Sequence, residues 1–232
     1  MNSIVYLVPC VLDETALNTI PHYIIEAVKN CQVIFAENER TARRFLKSIC
    51  KEIVIDDYEW FTIHKAEEDQ KNSFRQKVKE HKNIAIISEA GCPGIADPGQ
   101  ILIELAQQLN VVVKPLVGPS SILLALMASG MNGQQFEFVG YLPIDNGERM
   151  KTIKELETSS QRKKSTIIFI ETPYRNNQLI ETLLKSCKPS TRLCIAAELT
   201  GANEFVKTKT IADWGKEKTD FHKKPVIFLL LA

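Results

Sequence analysis

The first 116 residues alternate short, continuously apolar runs with stretches of helical periodicity, and this alternation limits the possible folds more than any other feature. Ser3–Val8, Val33–Ala36, Ile53–Ile55, Asn83–Ser88 and Val111–Leu116 are each rich in β-branched residues and read as strands. Between them, Leu17, Ile20, Ile24, Ile25 and Val28 share one face of a helix over Leu17–Lys29, and residues 39–49, 67–80 and 98–110 also read as helical. Strands that are apolar on both sides and separated by helices belong in a parallel sheet covered on both faces.

After Leu116 the rhythm changes. Helices are expected over 119–130, 149–158 and 175–186, and strands over Phe136–Val139, Thr166–Ile170, Leu193–Glu198, Glu204–Thr210 and Val226–Leu231. Only five residues separate the strands ending at Glu198 and beginning at Glu204, which suits an antiparallel hairpin. The expected architecture is therefore α/β: a parallel-sheet N-terminal α/β domain over 1–116 and a mixed-sheet α+β C-terminal domain over 117–232.

Composition removes several classes of function. With 44% hydrophobic residues and a net charge of +1, the chain can bury real cores and is not disordered. No apolar run approaches the ~18 residues of a membrane helix, and Met1–Leu12 lacks the basic region and cleavage site of a secretory leader, so a cytoplasmic protein without a membrane partner is expected. The six cysteines are scattered with neither metal-ligand nor disulfide spacing, so no metal site is expected, and most should pack as small hydrophobes. Arg149–Lys164 and Lys207–Lys224 each hold six basic residues, which suit either a phosphate backbone or solvated helix faces and loops.

The common chemical motifs are missing. The turn after the first strand, Pro9–Glu14, has no glycine, against a Rossmann site. There is no phosphate-binding G-x-x-x-x-G-K-[ST], no G-x-S-x-G and no H-E-x-x-H, and His22, His64, His81 and His222 are isolated. Two strand-to-helix turns stand out instead. Ser88–Gly99 holds three of the ten glycines, and its Asp97-Pro98 pair reads as an N-cap and first helical residue. Leu116–Ile122 sets Gly118, Ser120 and Ser121 before the next helix. Either turn alone is as consistent with plain capping as with a ligand, but two on one sheet edge favour a shared pocket.

These residues resemble the tetrapyrrole methylase superfamily, the class III adenosylmethionine-dependent methyltransferases, and within it a branch acting on ribosomal RNA. Ser88–Gly99 is similar to that branch's S-D-A-G-T-P-x-x-S-D-P-G, Gly118–Ile122 to G-P-S-A-L, and Ala36–Arg40 to A-E-D-T-R. Phe136–Pro143, Ile170–Arg175 and Ala196–Thr200 are similar to F-x-F-x-G-F-L-P, Y-E-S-P-H-R and A-R-E-L-T. Two places depart: the branch's T-P-I-G-N-L after the first strand is absent from Pro9–Leu17, and Asn38-Glu39 replaces Asp-Thr.

The resemblance implies two α/β domains with S-adenosyl-L-methionine in the cleft between them, and a homodimer. Carried over position by position, it implies cofactor contacts from Pro9, Gly91, Cys92, Pro93, Ile95, Ser120, Ser121, Ile170, Glu171, Ala197, Pro225 and Val226. Cys92 stands where the family has Thr or Asp, so its contact is expected from the backbone. For transfer to a cytidine 2'-hydroxyl of small-subunit ribosomal RNA, Glu37 is the candidate base, Arg40 its phosphate or orienting partner and Glu89 the reserve. The altered Pro9–Leu17 loop keeps open a tetrapyrrole or other small-molecule acceptor, and a noncatalytic RNA- or protein-binding paralogue is the alternative of a different class.

Overall fold

The computed structural model describes residues 3–63 and 67–232; His64 lies outside them. The chain divides into two compact units, Met1–Ser120 and Ser121–Ala232.

The first unit is a five-stranded parallel sheet in the order β3-β2-β4-β1-β5, with β1 Ile4–Val8, β2 Val33–Ala36, β3 Glu59–Thr62, β4 Ile84–Ile87 and β5 Val112–Pro115. Alternate side chains of its central strands feed two cores. Val8, Ile34, Ala36, Ala85 and Ile87 pack with α1 (Tyr23–Lys29) and α2 (Glu39–Ile49). Val5, Val33, Phe35, Ile84 and Ile86 pack on the other face with α3 (Lys71–Lys79) and α4 (Gln100–Gln108). Both faces are thus buried, as the uninterrupted apolar runs require.

Three local expectations are corrected. The helix expected over 17–29 is broken: Leu17–Thr19 forms one 3-10 turn, Pro21 intervenes, and α1 begins at Tyr23. Ile53–Ile55 is not a strand, because Ile53 and Ile55 join the core beside α1 and α2. The sheet edge next to β2 is taken by Glu59–Thr62. Asp97 does not cap α4; Gly99, at φ +122°, holds that position.

The second unit is a mixed sheet in the order β6-β7-β10-β8-β9: β6 Phe136–Tyr141, β7 Thr166–Ile170, β8 Arg192–Ala197, β9 Phe205–Thr210 and β10 Val226–Leu231. Only β6 and β7 are parallel, and β8 and β9 form the antiparallel hairpin. Ile167, Phe169, Leu193, Ile195, Phe228 and Leu230 bury one face against α6 (Asn146–Lys163), α7 (Asn176–Ser186) and α8 (Ile211–Trp214). A further helix, α5 (Ser121–Ser129), packs on β9 and β10, where the Thr208 hydroxyl donates to the Ser129 carbonyl at 2.7 Å.

Candidate functional site

Adjacent parallel strands whose connections leave to opposite faces part at their carboxyl ends and open a crevice there. In the first unit β2 and β4 are such a pair, since β2 leads to α2 on one face and β4 to α4 on the other. Glu37 follows β2 and Glu89 lies two residues beyond β4. The Glu37 carboxylate accepts from the Glu89 amide at 2.9 Å, and the Thr41 hydroxyl donates to the Glu89 carboxylate at 3.1 Å. A cavity of about 370 Å³ is lined here by Glu37, Asn38, Glu39, Arg40, Thr62 and Glu89. All three catalytic candidates therefore meet at one place.

The departure at Asn38 preserves the local structure. Its side-chain oxygen accepts from the amides of Arg40 and Thr41 at 3.0 and 3.4 Å, an N-cap that starts α2. Glu39 is engaged by Arg43 at 2.6 Å, and the Arg43 guanidinium lies 4.9 Å from the Trp60 ring centre.

A second junction joins the loops after β1, β4 and β5. Cys10 and Gly91 exchange two backbone hydrogen bonds, at 2.8 and 3.2 Å. A Cβ on Gly118 would meet the Pro9 ring at 2.3 Å, so glycine is required for the loops after β1 and β5 to touch. The Cys92 thiol lies 3.6 Å from the Pro119 carbonyl oxygen, and Pro93 is buried while Ile95 is exposed. Ser120 ends this unit and Ser121 opens α5. The two turns singled out in the sequence are thus in direct contact.

The loop from Gly91 also shows why α4 starts late. The Gly94 amide donates to the Pro98 carbonyl at 3.2 Å, closing a turn that carries Asp97 away from the helix. Two first-turn amides of α4, on Ile101 and Leu102, donate instead to the Glu67 carboxylate at 2.8 and 3.1 Å.

Released from capping, Asp97 joins the acidic group. Burial, followed by the nearby charges of Glu37 and Glu89, raises its carboxyl from 3.8 to about 6. The Cys10 thiol is also pushed up, first by burial and then by Glu37, Asp97 and Glu89. The Cys92 thiol rises through burial and the Asp97 charge. Sequence reasoning missed Asp97 because its position before a proline matched a capping pattern. Among the described residues no group of His, Cys, Asp or Glu is arranged to hold a metal ion.

In the second unit, antiparallel pairing puts the carboxyl ends of β7 and β8 beside the amino end of β10, with Ile170 opposite Ile227 and Ala197 opposite Val226. Ile170, Glu171, Ala197, Pro225 and Val226 therefore share one sheet edge. One oxygen of the buried Glu171 carboxylate accepts from the Thr172 amide at 2.6 Å and from Arg175 at 2.6 and 3.0 Å. Its other oxygen is buried without a partner. Nearby, Lys224 donates to Glu198 at 2.6 Å.

Comparison with known proteins agrees with this architecture. The family model described as Tetrapyrrole (Corrin/Porphyrin) Methylases matches residues 20–214. A protein of Buchnera aphidicola subsp. Schizaphis graminum named ribosomal RNA small subunit methyltransferase I is 30% identical over 233 residues, covering 98% of this chain and 78% of the relative. The protein of that name from Bacillus subtilis is 30% identical over 221 residues, covering 92% and 70%. Among solved structures, the methyltransferase CobJ superposes with a TM-score of 0.66 at 14% identity, covering 100% of this chain and 94% of that one, a likeness of fold alone. Since the family model extends through both units, and a relative 30% identical aligns with 98% of the sequence, the chain belongs to the tetrapyrrole (corrin/porphyrin) methylase family.

Proposed function

We propose that this chain transfers a methyl group from S-adenosyl-L-methionine to the ribose 2'-hydroxyl of a cytidine in small-subunit ribosomal RNA, acting in the cytoplasm as a homodimer. The observation that carries the reading is the convergence of Glu37, Arg40 and Glu89 on one cavity, in a chain whose relatives are named for small-subunit ribosomal RNA methylation. Among the described residues no helix is long and apolar enough to cross a membrane.

The residues fit such a cofactor on two counts. Gly91, at φ +66°, takes a backbone conformation that side-chain-bearing residues rarely adopt, which suits a loop where backbone meets a ligand. The unpartnered Glu171 oxygen is a buried acceptor that a ligand amine or hydroxyl would satisfy. The contacts proposed within the first unit are Pro9, Gly91, Cys92, Pro93, Ile95 and Ser120, and those proposed within the second are Ser121, Ile170, Glu171, Ala197, Pro225 and Val226. When bound, the cofactor supplies a methyl group on a sulfonium that loses its charge as the methyl leaves.

The chain's task is then to align the acceptor and take its proton. Glu37, oriented by the Glu89 amide, receives the hydroxyl proton, and Arg40 steadies the neighbouring phosphate. The Glu89 carboxylate is itself held by the Thr41 hydroxyl, which fixes the backbone that orients Glu37. The test is transfer of tritiated methyl groups from S-adenosylmethionine to small ribosomal subunits from a strain lacking this gene. Label in the RNA supports the assignment. Cofactor binding without labelled RNA rejects the acceptor, and absence of cofactor binding rejects the enzyme.

A further inference from the structure

We propose that Tyr174, His222 and Lys223 form a stacking platform for an unpaired nucleotide of the RNA, an inference that rests on the ribosomal RNA reading above. Tyr174 is 70% exposed at the turn between β7 and α7, an unusual position for a large aromatic ring. The His222 ring meets it edge-on, with centres 5.8 Å apart and planes at 72°.

Both loops beneath the rings are fixed. The Lys223 amide donates to the Pro173 carbonyl at 2.9 Å, and the buried Asn176 amide group donates to the Phe221 and Lys224 carbonyls at 3.1 and 2.8 Å. Asn177 donates to Asp220 at 2.8 Å and accepts from the Phe221 amide at 2.9 Å. Arg175 is anchored on Glu171. An exposed ring on such a base loses little freedom when a ligand covers it, and a nucleobase is the ligand whose flat face it matches.

Lys223 supplies a cation for the phosphate of a stacked nucleotide. Asp220 is occupied by Asn177 and the His222 amide, and Glu198 by Lys224, while Lys223 is exposed beside the rings and available to a phosphate. Aromatic stacking with an adjacent cation is how proteins hold unpaired RNA bases, whose faces a duplex hides.

The experiment uses the full chain with Tyr174→Ala, Tyr174→Phe and Lys223→Ala. Methyl transfer to small ribosomal subunits is measured alongside calorimetry with S-adenosylmethionine and salt-dependent binding of a short unstructured RNA. Tyr174→Ala should raise KM for the subunits about tenfold, the scale of one lost base stack, with kcat and cofactor affinity retained, and Tyr174→Phe should restore it. Lys223→Ala should reduce the salt slope of RNA binding by about one. An active wild type whose KM is unmoved by Tyr174→Ala overturns the platform alone, as does a loss of cofactor affinity in that variant. A wild type that binds cofactor but neither labels the subunits nor binds the RNA overturns the platform and the ribosomal RNA reading together.

Discussion

The two sheet edges treat their carboxylates in opposite ways. In the first unit burial, with the charges of Glu37 and Glu89 added to it, raises the Asp97 carboxyl to about 6. In the second, Glu171 is neutralised by Arg175 and Glu198 by Lys224, each at 2.6 Å. Topology underlies the contrast. A parallel sheet sends every carboxyl end to one edge, so loops from several strands meet there. A mixed sheet interleaves strand beginnings with strand ends, and here the loop before β10 brings Lys224 beside the acid after β8. Crowded like charges suit proton transfer, whereas paired charges suit holding a ligand or a fold.

The largest effect that would test this contrast is on stability. Arg175→Ala strands the buried Glu171 carboxylate and should cost about 3 kcal/mol in chemical denaturation, while Lys224→Ala, at a more exposed pair, should cost within about 1 kcal/mol. Equal losses would erase the distinction between buried and exposed pairing. In the first unit, Glu37→Gln should lower kcat at least about 100-fold in the tritium assay with the fold retained, and unchanged turnover would remove Glu37 from proton transfer.

Gly118→Ala forces a Cβ against the Pro9 ring and should cost about 2 kcal/mol together with cofactor affinity, read by thermal denaturation and calorimetry. The smallest effect is electrostatic. Asp97 holds its proton more tightly folded than unfolded, so its stabilising contribution is complete below about pH 4 and disappears as pH rises through about 6. After allowance for solvent screening, Asp97→Asn should be more stable than wild type by on the order of 1 kcal/mol above that range and no different below it. Parallel stability curves across the range would mean that neither burial nor the neighbouring acids raise Asp97.

Much of the fold was legible in the sequence because period and burial coincide. β7 at Thr166–Ile170, β10 at Val226–Leu231 and α2 at Glu39–Ile49 have the ends that their apolar patterns suggest. The failures have local causes. Glu59–Thr62 is an edge strand without a fully buried residue, so it lacks the apolar run that marks its neighbours, whereas Ile53–Ile55 has such a run and uses it to cover helices. At the candidate site, Glu37, Arg40 and Glu89 could be selected from motif resemblance. Asp97 could not, because its titration depends first on its burial in the folded chain and then on the charges of Glu37 and Glu89.

The Glu67 carboxylate at the head of α4 has a further consequence. Many open α/β sheets grip a phosphate with the first turn of the helix that follows a central strand. Here an internal anion already occupies those donors, so a nucleoside polyphosphate finds no ready-made grip at that turn. Selection against the most abundant adenine nucleotides of a cell would then begin with a side chain that never touches the reacting atoms.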